Sequence, residues 1–112
     1  MATQTNYRFV NQTGSAAVAY TLAPAKNFVL VGFKFHGDAV GGAAENLTIT
    51  VDSASGAAYD LLLYSQDMAA VADITQVYTN PIPFKNGDEL DFAYANSNTN
   101  TWGLEIIYRE EV

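Results

Sequence analysis

Hydrophobic and polar positions alternate with a period of two along most of the chain, most clearly in its last third. Leu90, Phe92 and Tyr94 fall on one side of an extended segment, and Asp91, Ala93 and Ala95 on the other. Trp102, Leu104, Ile106 and Tyr108 repeat the pattern against Gly103, Glu105, Ile107 and Arg109. Such alternation predicts half-buried antiparallel strands. The intervening run Asn96–Thr101 has no apolar residue and predicts a loop.

The same reading extends toward the N-terminus. In Asn46–Asp52, Leu47, Ile49 and Val51 point inward and Thr48, Thr50 and Asp52 outward. Phe28–His36 is the longest predicted strand. Strict alternation gives it an inner face of Val29, Val31, Phe33 and Phe35, and an outer face on which Phe28 and Leu30 add apolar bulk beside Gly32, Lys34 and His36. Tyr7–Val10, Ala16–Leu22, Ala58–Ser65 and Ile74–Thr79 are further strands. Turn residues recur about every ten positions, as in sandwiches and barrels. They include Asn11–Ser15, Pro24, the tight connection Ser53–Gly56, and Asn86-Gly87-Asp88. Gln66–Asp73, with Met68, Ala69 and Ala70, has room for one helical turn, and Pro81 and Pro83 predict an extended connection. The expectation is an all-β chain: an antiparallel, jelly-roll-like β-sandwich of about eight strands in a single domain over residues 1–112. An immunoglobulin-like sandwich is the other arrangement of such strands.

Composition narrows what such a sandwich does. Hydrophobic residues make up 49% of the chain, with 6 Phe, 7 Tyr and 1 Trp, enough for a core without staples. The absence of cysteine excludes disulfides, thiolate metal sites and a cysteine nucleophile. Charged residues are only 15%, so Thr, Ser, Asn and Gln must supply most of the polar surface. The net charge is −7, and Arg8, Lys26, Lys34, Lys85 and Arg109 are scattered rather than clustered. Neither nucleic acid nor an anionic membrane is therefore an expected partner. Met1–Asn6 is polar and does not read as a signal peptide, and no apolar run approaches the ~20 residues of a membrane helix.

Candidate chemistry is sparse. His36 is the lone histidine, and nothing in the sequence completes a zinc site or a nucleophile elbow around it. The acidic groups are Asp52 near Ser53 and Ser55, Asp88 and Glu89 after Asn86, and Glu105 with Glu110 and Glu111; none has the spacing of a calcium cage. Gly37–Ala44 lacks the lysine of a phosphate loop and reads as a flexible connection. The expectation is no catalytic residue, no cofactor, no metal and no enzyme. Tyr59, Tyr64, Tyr78 and Trp102 could stack on sugar rings if exposed. Leu61–Tyr64 is apolar on both faces, and Phe28, Leu30 and Ile107 add apolar outer positions. Such residues lie under a loop or against another protein. Phe28, Leu30, Leu62, Tyr64 and Ile107 are thus the protein-contact candidates, favoured over a sugar site.

Pro83–Phe92, PFKNGDELDF, joins an aromatic residue, a turn, Gly-Asp and a strand in the manner of many jelly-roll proteins; Thr101–Glu105 adds a Trp-Gly strand. From about Ala16 to Arg109 the chain resembles the small β-sandwich virion proteins of tailed bacteriophages, which include capsid decoration or cement proteins and small tail-fibre or knob domains. The resemblance implies a structural virion protein, assembled in the host cytoplasm, that stabilises the head by binding the major capsid protein or other virion proteins. It also implies a homo-oligomer in the assembly and no catalytic residues. The alternative is a tail-fibre or carbohydrate-binding β-sandwich module that recognises a host surface glycan.

Overall fold

The computed structural model describes residues 7–111, so the reading of Met1–Asn6 lies outside the described residues. Eight strands follow one another: β1 (Tyr7–Gly14), β2 (Val18–Leu22), β3 (Phe28–Gly37), β4 (Asn46–Asp52), β5 (Leu61–Asp67), β6 (Asp73–Phe84), β7 (Glu89–Tyr94) and β8 (Trp102–Glu110). They form two four-stranded antiparallel sheets, with orders β1-β8-β3-β6 and β2-β7-β4-β5. The fold is an all-β sandwich compatible with a jelly roll. Inward residues of both sheets build one core, which includes Leu47, Ile49, Val51, Leu90, Phe92, Leu104 and Ile106, as the alternation requires. Its aromatic spine runs edge-to-face from Tyr64 through Phe33 to Phe92, with Phe35 stacked on Trp102.

β3 departs from strict alternation. Its register shifts between Leu30 and Gly32 against both β6 and β8. Against β8 the extra residue is Val31, whereas against β6 Val31 stands opposite the four residues 78–81; the phase reverses, so Phe28 and Leu30 point the same way as Phe33 and Phe35. Phe28 and Leu30 are 0% exposed, and the ring of Phe28 stacks on Phe84 and meets the edge of Tyr108. They are core residues, which corrects their assignment as outer contact candidates. Beside the bulge the chain needs a glycine: a Cβ on Gly32 would lie 2.3 Å from the Gln76 carbonyl oxygen.

Other local expectations change as well: β1 runs on through Asn11, Gln12 and Thr13 to Gly14 instead of turning after Val10. Ala57–Tyr59 is a single 3₁₀ turn, and β5 starts only at Leu61. The segment 66–73 holds no helix but one hydrogen-bonded turn, closed by Val71 N–H donating to the Met68 carbonyl; Met68 is buried, its N–H donates to the Glu45 carbonyl, and its carbonyl also accepts from Gly41. β6 does not end at Thr79 but continues through Pro81 and Pro83 to Phe84; at a sheet edge a proline removes no ladder bond. The 37–44 loop is held in place. Gly42 N–H donates to Ala69, and Asn98 and Asn100 side-chain amides donate to the carbonyls of Gly41 and Val40.

Candidate interaction surface

β5 is an edge strand, paired only with β4. Ile49 faces Tyr64 and Thr50 faces Leu62, leaving Leu63 as the extra residue of a bulge. Leu63 packs on the core, while Leu62, beside the outward Thr50, is 59% exposed. Leu61 is also exposed, and Tyr59, just before the strand, is 64% exposed. Tyr59, Leu61 and Leu62 thus make a short apolar edge, with Asp60 between them and Asp67 at the far end of the strand. Tyr64 does not belong to it. Its ring stands edge-on to Phe33 at 5.0 Å, and burial raises its phenol pKa above 10.0. Tyr64 is a half-buried core-packing residue, so it too is corrected as a contact candidate.

Ile107 lies on the opposite side of the sandwich. The registers place Phe9, Ile107, Gly32 and Val77 in one row across β1, β8, β3 and β6 on the outer face. Phe9 is 57% and Val77 61% exposed. The next row reads Asn11, Glu105, Lys34 and Thr75, with Lys34 and Glu105 paired at 3.4 Å. Leu62 and Ile107 are therefore surface residues on different faces and do not form one patch. Sequence reasoning missed Phe9 and Val77. Val77 was legible as the residue out of phase with Ile74; Phe9 was not, because both faces of Tyr7–Val10 carry an apolar residue.

The polar candidates have structural partners. His36 Nδ1 lies 2.5 Å from Asp73 Oδ1, both exposed on the β3–β6 side of that same face. Asp88 is buried, and its two carboxylate oxygens accept from the N–H groups of Ala54 (2.8 Å) and Lys85 (2.9 Å), so it ties the turn to the β4 end. Glu105, Glu110 and Glu111 each face a cation: Lys34, Arg8 and Arg109. Glu45 accepts from the Ser97 hydroxyl and N–H, which lowers its carboxyl pKa. Among the described residues no group of three His, Cys, Asp or Glu side chains could hold a metal ion.

Of the sugar candidates, Trp102 is buried and its indole N–H donates to the Ala16 carbonyl at 2.8 Å. Tyr64 and Tyr78 pack against the core. Only Tyr59 offers an exposed ring; it lines a shallow trough with Asn27, Ser53, Ser55 and Lys85.

No protein-family model matches the chain, and no curated protein sequence matches it. Among solved structures, the nucleoplasmin-like N-terminal domain of Drosophila FKBP39 is similar with a TM-score of 0.49 and 13% identity, over 96% of this chain and 93% of that one.

Proposed function

We propose that the protein is a non-enzymatic assembly component, and specifically a decoration protein of a tailed-phage capsid, binding capsid subunits so as to stabilise the head. The observation that supports this reading is the apolar edge at β5. Leu61, Leu62 and Tyr59 stand exposed together where a soluble monomer gains nothing from them. The bulge at Leu63 discourages strand addition there. Side-chain burial against a folded partner is therefore the better use of this edge. Such binding stabilises the assembled state by mass action, in proportion to the number of copies bound.

The experiment is cosedimentation with capsid shells. Wild-type protein should be retained and Leu62→Asp lost, with an unchanged circular dichroism spectrum. Equal retention of the two refutes the role of this edge, and a wild type that ignores shells refutes decoration. The glycan-binding alternative has one observation in its favour, the exposed Tyr59 ring above polar side chains. Retention on a glycan array, lost in Tyr59→Ala, would put it in place of the capsid reading.

A further inference from the structure

The outer face of the β1-β8-β3-β6 sheet differs from the rest of the molecule in charge. Its outward strand positions carry Lys34 and Arg109 against Asp73 and Glu105, and so are neutral. The β2-β7-β4-β5 strands carry Asp52, Asp67, Glu89 and Asp91 and no basic residue. In a chain of net charge −7, two copies would repel through the acidic sheet and not through the neutral one. The neutral face is also the one crossed by the apolar row Phe9, Ile107, Gly32 and Val77.

We propose that this face binds a second copy of the chain, sheet on sheet, about a twofold axis parallel to the strands and midway between β3 and β8. Such an axis exchanges β8 with β3 and β1 with β6. In the apolar row it sets Phe9 over Val77 of the other copy, and Ile107 over Gly32, which is buried and presents no side chain. In the adjoining row it sets Lys34 over Glu105 of the other copy, twice by symmetry, and Asn11 over Thr75. In these two rows apolar thus meets apolar, and Lys34 meets Glu105. An isologous contact requires that self-complementarity.

The area is of the right order. Four strands at about 4.8 Å and eight residues at about 3.3 Å give a flat face of roughly 500 Å². Side-chain relief adds to that, and an ordinary stable interface removes about 600–1,000 Å² from each partner. The proposal is independent of the capsid reading, since the β5 edge lies on the other sheet.

Sedimentation velocity over a concentration series tests it. Wild type should dimerise reversibly, Ile107→Asp should be monomeric, and Leu62→Asp should dimerise like wild type. Lys34→Glu alone and Glu105→Lys alone each place like charges in both cross-axis contacts and should weaken the dimer roughly tenfold or more. An equimolar mixture of those two variants restores opposite charges in both contacts and should form a mixed dimer of near wild-type strength. A wild type that stays monomeric throughout the micromolar range overturns the proposal. So does a dimer indifferent to these substitutions, or a mixture no stronger than its components. If Ile107→Asp does not fold, the charge-reversal mixture decides alone, because Lys34 and Glu105 side chains are both outside the core.

Discussion

Two glycines on the same sheet should respond oppositely to alanine. At Gly32 a Cβ would sit 2.3 Å from the Gln76 carbonyl oxygen and 3.0 Å from Val77 Cα, where ordinary contact begins at 3.4 Å. The obstructing atoms are backbone, so no rotamer relieves them. β6 must move by about 1 Å, and its only sheet neighbour is β3. Overpacking of this kind costs about 1–3 kcal/mol. For a domain of this size each kcal/mol moves the midpoint about 4–8 °C, so Gly32→Ala should lower Tm by roughly 5–20 °C. At Gly103, opposite His36 on β8, a Cβ meets nothing within 4 Å. Gly103→Ala should therefore stabilise by about 0.4–1 kcal/mol, through the narrower unfolded ensemble. Calorimetry at matched concentration, with urea titration to confirm an unchanged slope, reads both. A Gly32→Ala protein as stable as wild type would refute the bulge geometry, and with it the inward placement of Phe28 and Leu30.

Tyr64→Asp, which removes the ring packed on Phe33, should cost on the order of 3 kcal/mol in urea unfolding, whereas Leu62→Asp should stay within about 0.5 kcal/mol of wild type. Equal effects would mean the two residues share an environment. Asp88→Ala strands the N–H groups of Ala54 and Lys85 and should cost about 1–3 kcal/mol, measurable by the same titration. The Glu45 carboxyl, lowered by its Ser97 bonds, should titrate by NMR below 4.5, and Ser97→Ala should move it back up. The sign follows: stability from this contact is present above the ordinary glutamate value and is lost as pH falls through the lowered one. An unmoved midpoint in the variant would count against it.

The strands and most of the core were legible because burial on one face leaves a period-two record, as in β4, β7 and β8. The contact candidates were less so, for a physical reason. Alternation assigns faces only while the strand keeps its phase, and a bulge leaves no mark in apolar content. Strict alternation through Val31 turns Phe28 and Leu30 outward; the bulge there, beside a Gly32 crowded by the β6 backbone, turns them inward. At β5 the bulge at Leu63 acts similarly, bringing both Leu63 and Tyr64 toward the core and leaving Leu62 outside. The structural roles of His36 and Asp88 depend on partners 37 and 34 residues away, Asp73 and Ala54, which no spacing rule supplies.

Faces and edges offer different ways to associate, and the four edges here are not alike. β6 carries Pro81 and Pro83, β5 has its bulge, and β2 has five residues. β1 is the exception: eight residues in unbroken register with β8, no proline, and a single charged side chain, Arg8. Two chains could in principle join β1 to β1 and merge their sheets. That arrangement would satisfy the backbone edge but leave Ile107 and Val77 uncovered and Lys34 distant from any second Glu105. The face-to-face dimer does the reverse, covering the side chains while the outward N–H groups of β1 remain open to water. Amide hydrogen exchange separates the two. In an antiparallel edge strand, half of the amides point away from the partner strand and lack ladder bonds. Above the dissociation constant, those β1 amides should exchange as fast as they do in the Ile107→Asp monomer, while Glu105→Lys should loosen the dimer without altering them. Protection of the outward β1 amides that appears only on dimerisation would show pairing through the edge and would rule out the twofold proposed through the face.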